Sequence, residues 1–415
     1  MCTLDINRGT HSFDSTLEIT SGMTVEIRPA AQSNGDQIIL DGQSGEFPLF
    51  YLEGPGAELR VSSVEIKNFA RGAIIAEGGA VVTLNDVNLT RHAAMRTVGS
   101  RRRALAAADF ETCGGAIRLV NGATASLSAS VLTENSAERG GAVCVLNGST
   151  LTIDSSRFTR NSASSAGGAA LVADASALTV RNASAFEDNN STLGGALAVG
   201  ASSSLVLKEF ALHANTASDG GALWTNGHVS LTNGNFSANQ ALQTGGGLCA
   251  AQASSTSVVH NVVFTANTAK DGAGASVVDG GTADFRSVVW SGNTARLAGG
   301  GLRVANYSVV AVDEASSLRH NHAAKGGGAA VVQSSVLEAL SGVNVTENHG
   351  LSLGGALWID ANSTVPAGEG ARFAENVAGS GGGLAVTNGS SARWTGSCQV
   401  EHNAAFESDG GGVLL

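Results

Sequence analysis

The stretch from Phe158 to Ala173 reads FTRNSASSAGGAALVA, and two later stretches repeat its pattern. The segment from Phe186 to Val199 reads FEDNNSTLGGALAV, and the segment that begins at Phe373 reads FAENVAGSGGGLAV. In each segment an apolar residue is followed three positions later by Asn. A Gly-Gly pair with a small apolar residue follows that Asn after a few more positions. This compound pattern decides the fold of the chain.

The pattern recurs along most of the chain at a nearly constant interval. The Asn stands at eleven positions: Asn135, Asn161, Asn189, Asn215, Asn239, Asn267, Asn293, Asn321, Asn348, Asn376 and Asn403. The first Gly of the pair stands at twelve positions: Gly114, Gly140, Gly167, Gly194, Gly220, Gly245, Gly272, Gly299, Gly326, Gly354, Gly381 and Gly410. These glycines span 296 residues, so the period is about 27 residues, which is typical of stacked structural repeats.

The residues that follow each glycine pair alternate in polarity. The positions three and five after the first Gly are apolar in every copy except at Thr225, and the position between them shows no common chemistry. Such period-two alternation predicts a half-buried strand whose middle residue faces outward. A second alternating segment precedes each Asn, as at Leu151 and Ile153. One coil cannot bury its own apolar side, whereas stacked coils can. The sequence therefore predicts an all-β parallel β-helix with coils of about 27 residues.

The repeated Gly and Asn residues are interpreted as structural. A corner between strands often needs a positive φ or a close backbone approach, and Gly permits both. The residue after each pair is always Ala or Gly, which indicates a corner without room for a larger side chain. Asn tolerates left-handed backbone and bonds nearby backbone groups. We therefore predict that the eleven Asn residues form a stacked turn ladder rather than a ligand site.

The repeat boundaries divide the chain into four segments. Residues 1–60 lack the repeat and are predicted to begin and cap the helix, and residues 61–92 read as degenerate first coils. Residues 93–112 interrupt the period with a loop insertion that carries the basic triplet Arg101, Arg102 and Arg103. Residues 113–415 hold the regular repeats and stop partway through a coil. Because no signal peptide follows Met1, we expect a fragment of a longer protein.

Composition restricts the possible classes of function. The chain has 415 residues and a net charge of −11, which argues against a nucleic-acid-binding surface. No apolar run is long enough for a transmembrane helix. The five cysteines lack zinc or redox spacing. Cys144 and Cys249 lie four coils apart, roughly 19 Å, which is too far for a disulfide. The sequence therefore predicts no disulfide framework, and no cofactor is expected.

The compound motif resembles the repeat of the chlamydial polymorphic outer membrane proteins. Its first half is present from Phe158 to Asn161, its second half from Gly194 to Leu197, and the resemblance covers about residues 89–415. The resemblance implies a single right-handed parallel β-helix of pectin-lyase-like type, displayed on the outer membrane or secreted and used in adhesion. The chain departs from the family pattern because it shows no signal peptide, middle domain or C-terminal translocator.

Enzymatic activity is the main alternative, because this fold also hosts polysaccharide lyases and glycoside hydrolases and does not by itself settle function. Asp219, Asp271 and Asp409 each precede a corner Gly. The first two are expected two coils apart, roughly 10 Å, at the edge of the range for an inverting carboxylate pair. Neither has an evident basic partner in its column, and Asp before Gly is ordinary turn chemistry. We therefore predict no catalytic residues.

Histidine and tryptophan residues are the other candidates for binding. Five histidines flank the Asn column: His213, His320, His322, His349 and His402. Imidazoles on one stacked corner could bind a metal, but solvent-facing turn residues usually bind none, so no metal site is predicted. Trp224 and Trp358 stand in the outward column, where aromatic side chains can stack on sugars or contact a protein. They are five coils apart, roughly 24 Å, and do not form one patch.

The sequence favours a non-catalytic extracellular or cell-surface scaffold that serves adhesion or binding. Its expected partner is a host or neighbouring cell-surface protein or glycan, and not a nucleic acid. Trp224, Trp358 and the triplet Arg101–Arg103 are possible contacts, although the triplet is also explained by a protease site or a solvated insertion. Frequent sequons mildly favour export, including those at Asn88, Asn147, Asn182, Asn190, Asn235, Asn306, Asn344, Asn362 and Asn388.

Overall fold

The computed structural model describes residues 2–30, 37–94, 112–338, 341–366, 369–394, 396–407 and 410–415. These residues form strands, turns and bends, and the described part of the chain contains no helix. Two compact units follow each other, Met1–Val206 and Leu207–Leu415, and the division falls inside the strand Ser204–His213. This boundary does not coincide with the predicted segment boundaries. The basic triplet at residues 101–103 and Asp409 lie outside the described residues.

Unit 1 contains three parallel sheets, which we number in the order in which a coil crosses them. Sheet 1 contains the strands Leu17–Thr20, Phe50–Glu53, Ile74–Glu77, Ile117–Val120, Val143–Val145, Ala170–Val172 and Leu197–Val199. Sheet 2 contains Cys2–Ile6, Gly9–Ser12, Thr24–Pro29, Ile38–Asp41, Glu58–Lys67, Val81–Thr90, Thr124–Ser128, Val131–Thr133, Thr150–Asp154, Arg157–Thr159, Ala177–Arg181 and Ser184–Glu187. Sheet 3 contains Ala93–Ala94, Ser136–Arg139 and Ser162–Ala166.

Unit 2 repeats the same order of sheets. Sheet 1 contains Leu223–Thr225, Leu248–Ala251, Ala275–Val278, Leu302–Ala305, Ala329–Val332, Leu357–Ile359, Leu384–Val386 and Val413–Leu414. Sheet 2 contains His228–Ser237, Thr256–Thr265, Thr282–Arg286, Val289–Ser291, Val309–Val312, Ser317–Arg319, Val336–Glu338, Asn344–Thr346, Thr364–Pro366, Arg372–Ala374, Ser391–Arg393 and Gln399–Glu401. Sheet 3 contains Thr216–Ala217, Gln240–Ala241, Thr268–Asp271, Thr294–Ala298, His322–Lys325, His349–Leu353, Val377–Ser380 and Ala404–Ala405.

The register between coils confirms the predicted period. In unit 1, Val143 pairs with Ala170, and in unit 2, Ala275 pairs with Leu302, both in parallel strands and 27 residues apart. Residues before position 93 join the same sheets, since Ile74 pairs with Ile117. Both units are therefore parallel β-helices with coils of about 27 residues, as the sequence predicts.

Inward side chains of successive coils stack into a continuous apolar core within each unit. The apolar residue three positions before the Asn is buried and stacks on its counterpart in the next coil, except in the last copy, where Val400 is 40% exposed. Ring centroids are 4.8 Å apart between Phe158 and Phe186, and 4.7 Å apart between Phe236 and Phe264. Such stacked aromatic pairs add about 1 kcal/mol each beyond the burial of their surface. The polar exception, Thr225, is buried and accepts a hydrogen bond from the amide of Gly227 at 3.0 Å.

The eleven Asn residues lie next to this core and bond from coil to coil. The Asn161 amide nitrogen donates to Asn189 Oδ1 at 3.1 Å and to the carbonyl of Leu132 in the preceding coil at 2.9 Å. The ladder residues are almost fully buried, except for Asn403. The residue before the Asn adopts the left-handed backbone, for example Arg160 with φ +52°. None of the eleven ladder Asn residues has a positive φ, so the left-handed turn position is the residue that precedes each Asn.

Serine forms further ladders that the sequence analysis did not anticipate. The amide of Ser149 donates to Ser176 Oγ, and that of Ser176 donates to Ser203 Oγ. In unit 2 the same arrangement links Ser308, Ser335 and Ser363. Each hydroxyl satisfies a buried amide at a turn that leaves no strand partner for it. The signal was present as a Ser column with the repeat period.

The glycine pair forms a tight corner for two different reasons. The first Gly has a positive φ, as at Gly326 with φ +63°. The second Gly lies against backbone of the next coil, so a Cβ on Gly327 would be 2.6 Å from the carbonyl oxygen of Gly355. The corner also folds over the outward column of sheet 1. A Cβ on Gly272 would be 2.8 Å from the Cβ of Ser276 and 3.0 Å from that of Arg303.

This cover corrects the prediction that the outward column faces solvent. Small side chains in the column, such as Cys144, Cys249, Ser276 and Ala330, are fully or almost fully buried beneath the corner. Larger side chains extend past the corner and remain partly exposed at Arg118, Trp224, Arg303 and Trp358, and Leu414 in the last coil is also partly exposed. Alternation correctly identifies which side of the strand these residues occupy, but not what covers that side.

A disulfide contradicts the prediction that the cysteines are unpaired. Cys113 directly precedes the first Gly of its corner, and the corner places it over Cys144 of the next coil. The two residues form a disulfide with a Cα–Cα distance of 5.7 Å. Alternation relates Cys144 only to Cys249, which shares its column. Cys113 is a corner residue, and alternation does not predict that the corner lies above that column.

Candidate functional site

The outer face of sheet 1 in unit 2 forms the floor of a groove. Successive residues of the outward column are in direct register from coil to coil: Trp224, Cys249, Ser276, Arg303, Ala330 and Trp358. Large side chains at both ends and at Arg303 therefore alternate with small ones. A second row of small apolar side chains, which includes Ala251, Val278, Ala305 and Val332, completes the floor, and Trp224 and Trp358 pack against it.

Two depressions follow from this alternation of large and small side chains. The first, of about 360 Å³, lies between Trp224 and Arg303, and the second, of about 440 Å³, lies between Arg303 and Trp358. Their volumes fall in the range of small-molecule sites. We call the two depressions together the unit 2 groove. Its lining residues are Asp219, Trp224, Thr244, Cys249, Ala251, Gln252, Asp271, Val278, Asp279, Leu297, Ala298, Arg303, Asn306, Ala324, Lys325, Val332, Gln333, Trp358 and Asp360.

One wall of the groove consists of sheet 3 and the turn before the glycine pair. It contributes Asp219 and Asp271, whose positions before the corner the sequence analysis identified. Asp219 accepts hydrogen bonds from the hydroxyl of Thr244 at 2.6 Å and from its amide at 3.2 Å. Asp271 lies 3.9 Å from the Nε of Arg303, and both side chains are about 15% exposed. Asp271 therefore has a basic partner in Arg303, which stands in a different column from the one that the sequence comparison considered.

The structure does not bring Asp219 and Asp271 into one site. Asp219 lines the first depression and Asp271 the second, and Arg303 separates the two. Asp271 is held beside a cation and Asp219 beside a hydroxyl, so each has a partner other than a second carboxylate. A general acid and general base acting on one bond must both reach it. The arrangement gives no direct support for such a pair.

The opposite wall is a row of amides and carboxylates in the turns that follow sheet 1. Neighbouring coils are linked along this row: Asn226 donates to Gln252 at 3.1 Å, and Asn306 donates to Asp279 at 2.7 Å. Asp360 accepts from the side-chain amide of Asn388 at 2.6 Å. These bonds use only part of the hydrogen-bonding capacity of each group, because a carboxylate or amide oxygen can accept more than one hydrogen bond.

Two groove residues that carry reactive groups are engaged in packing. Burial raises the pKa of the Cys249 thiol to about 12, so it stays protonated at neutral pH and is a poor nucleophile. The Lys325 ammonium lies 4.6 Å from the ring centroid of Trp358, in a cation–π contact. Lys325 thus occupies one face of Trp358.

The histidines predicted near the Asn column lie outside the groove. His322 and His349 occupy paired strands of sheet 3, with ring centroids 5.6 Å apart, and His320 faces Glu347. Burial lowers the pKa of His322, and the nearby imidazoles of His349 and His320 lower it further. Within the described residues, no group of three or more His, Cys, Asp or Glu side chains has the arrangement of a metal site.

Three of the sequons have a structural origin. Asn147, Asn306 and Asn388 occupy left-handed turn positions after sheet 1, with φ between +50° and +56°. The serine two residues later belongs to the Ser ladder in each case: Ser149 and Ser308 are buried, and the partly exposed Ser390 accepts from the amide of Ser363. Turn and ladder chemistry therefore produce the Asn-x-Ser pattern without any requirement for glycosylation, and these three sequons say little about export.

Comparison of the chain with protein-family models, curated proteins and solved structures finds no match. The part of the chain that the structure describes has no helix with the length and apolar character needed to cross a membrane.

Proposed function

We propose that this chain is a non-catalytic, exported β-helix scaffold that binds a cell-surface partner through the unit 2 groove. The groove is the observation that carries the proposal. It combines two aromatic side chains, a small apolar floor and polar walls, which is the composition expected of a recognition site. Its carboxylates are separated, and its thiol is held in the protonated form.

Export is supported by the disulfide and by the sequence resemblance. A disulfide between Cys113 and Cys144 is expected to persist in oxidising compartments and is rare in the cytosol. The repeated motif resembles that of proteins displayed outside the cell and used in adhesion. A solenoid with a constant core and variable outer side chains also suits this role, because the surface can change without loss of the fold.

A cell-retention assay tests the proposal. Wild-type chain is compared with Ala324→Trp, which places a large ring on the partly exposed wall of the second depression, and with Trp224→Ala, which removes the end of the first. Phe406→Ala is the matched control, since Phe406 is a 55% exposed aromatic outside the groove lining. Saturable retention that both groove variants reduce, and the control does not, is expected. Retention that is equal in all four proteins would overturn the proposal.

A carbohydrate-active enzyme is the second candidate, and the contact between Asp271 and Arg303 is the observation that favours it. A carboxylate held beside a guanidinium in a groove can serve catalysis as well as binding. The test is the release of reducing ends from a panel of acidic and neutral polysaccharides. Turnover that Asp271→Asn or Asp219→Asn abolishes would establish the enzyme. Saturable binding without turnover is the result that the scaffold predicts.

A further inference from the structure

We propose that the unit 2 groove binds a chain of uncharged sugars, with one subsite on each side of Arg303. This inference rests on the proposed binding function and names the ligand class. Three observations carry it: the groove runs across paired strands, its side chains match the two surfaces of a sugar ring, and its charge is negative.

The pairing of the floor strands argues against an extended peptide. Peptides usually bind to a sheet by adding a strand to a free edge, where main-chain hydrogen bonds supply the affinity. The floor strand Ala275–Val278 pairs on one side with Leu248–Ala251 and on the other with Leu302–Ala305. The strand Ala329–Val332 is likewise paired on both sides. The floor therefore offers a ligand side chains only, and recognition depends on those side chains.

The side chains match a sugar ring, which has an apolar face and a rim of hydroxyl groups. Trp224 and the small apolar residues beside it provide an apolar surface at one end of the floor. Along the wall, Gln252, Asp279 and Asn306 present amides and carboxylates, which together accept from and donate to hydroxyl groups. An apolar floor beside a polar wall thus serves both surfaces of the ring at the same time.

The charge of the groove disfavours an acidic glycan. Its lining includes four carboxylates, Asp219, Asp271, Asp279 and Asp360, against two cations, Arg303 and Lys325. Arg303 lies 3.9 Å from Asp271 in an ion pair, and Lys325 lies over the ring of Trp358. A uronate or sulfate would therefore meet a net negative charge in a partly desolvated site, where like charges repel strongly. A sugar without charge avoids this repulsion.

The experiment is titration calorimetry of the full chain with short linear oligosaccharides. Neutral 1,4-linked gluco-, xylo- and manno-oligomers, whose units carry a vicinal diol, are the probes, and oligogalacturonate is the acidic comparison. At least one neutral series is expected to bind saturably and more tightly than the acidic series. Trp224→Ala should weaken that binding about tenfold, and Trp224→Phe should weaken it less because an aromatic ring remains. Phe406→Ala should leave it unchanged.

A second arm changes only the charge. Asp279→Asn combined with Asp360→Asn removes two of the carboxylates while keeping similar shapes, and should raise the affinity for oligogalacturonate. Circular dichroism of every variant shows whether it is folded, and the Trp224→Phe and Asp→Asn variants test the inference if Trp224→Ala does not fold. Binding of the acidic series alone, or neutral binding that none of the groove variants changes, would overturn the inference.

A third arm separates failure of this inference from failure of the binding function. Cells are treated with periodate, which oxidises vicinal diols of sugars, or with protease, before the retention assay. Loss of groove-dependent retention after periodate supports a glycan. Retention that persists after periodate and is lost after protease rejects the glycan while the groove still binds a partner. Absence of any groove-dependent retention or glycan binding rejects both proposals.

Discussion

Replacing Asn267 by Ala should destabilise unit 2 far more than an ordinary Asn substitution, because the ladder residue serves neighbours on both sides. Asn267 is fully buried. Its side-chain nitrogen donates to the carbonyl of Phe236 at 2.9 Å and to Asn293 Oδ1 at 3.0 Å. Its Oδ1 accepts from the backbone amide and the side-chain amide of Asn239, both at 3.0 Å.

The truncation removes a partner from four buried groups: the carbonyl of Phe236, Asn293 Oδ1, and the backbone and side-chain donors of Asn239. Asn293 Oδ1 keeps the backbone amide of Asn267, and the Asn239 side chain keeps the carbonyl of Leu212. At about 1 to 3 kcal/mol for each unsatisfied buried group, and with partial relaxation, the free energy of unfolding should fall by about 3 to 5 kcal/mol. Asn344→Ala is the control. Asn344 is an exposed strand residue of the same unit, and its substitution should change stability by less than about 0.5 kcal/mol.

Urea unfolding followed by far-UV circular dichroism measures both variants, with the slope of the transition checked for loss of cooperativity. If Asn267→Ala unfolds at the same urea concentration as Asn344→Ala, the ladder does not stabilise the coil stack and the reasoning is refuted.

Three further predictions concern the corner, the disulfide and a buried histidine. Gly327→Ala should lower the free energy of unfolding in urea by more than about 2 kcal/mol, because the added Cβ would be 2.6 Å from the carbonyl oxygen of Gly355. Gly292→Asn is the control that should be tolerated, since φ is +65° there and an added Cβ would have no atom within 4 Å. Reduction of the Cys113–Cys144 disulfide should remove about 2 to 4 kcal/mol, and a Cys113→Ser variant should be insensitive to reductant. Burial lowers the pKa of His92 from 6.5 to about 4. The contribution of neutral His92 to the free energy of unfolding is therefore complete above pH 6.5 and decreases by about 3 kcal/mol as the pH falls to 4. His92→Asn should flatten this pH dependence of stability.

The repeat could be predicted from the sequence because each coil obeys the same local rules. Period-two alternation identifies the inward residues, such as Ile117 and Leu119, and the glycine spacing gives the register that the strand pairs display. His92 stands in the Asn position of a degenerate coil, because it follows the apolar residue Leu89 by three positions. The structure shows its amide bonded to Asn135 Oδ1 at 3.0 Å and its ring bonded to the backbone of Phe69 and Ile66. Such features depend on one residue and its counterpart one coil away, which a sequence repeat reports directly.

The groove and the disulfide could not be predicted because they depend on how the glycine corner folds over the outward column of sheet 1. Alternation places Cys144 and Ser276 on the outer side of sheet 1, but the glycine corner covers them. The same fold of the corner over sheet 1 brings Asp271 next to Arg303, which is 32 positions away in the sequence and in a different column. Trp224 and Trp358 were identified, but as separate exposed residues rather than as the two ends of one groove.

The central claim is that a partner binds in the unit 2 groove, and hydroxyl-radical footprinting of the chain on its target cells tests it most directly. Oxidation of each tryptophan and of Phe406 is measured by mass spectrometry for the free and the cell-bound chain. The account predicts that binding protects Trp224 and leaves the oxidation of Phe406 unchanged. Protection of Phe406 with unchanged oxidation of Trp224 would place the contact elsewhere and contradict the account.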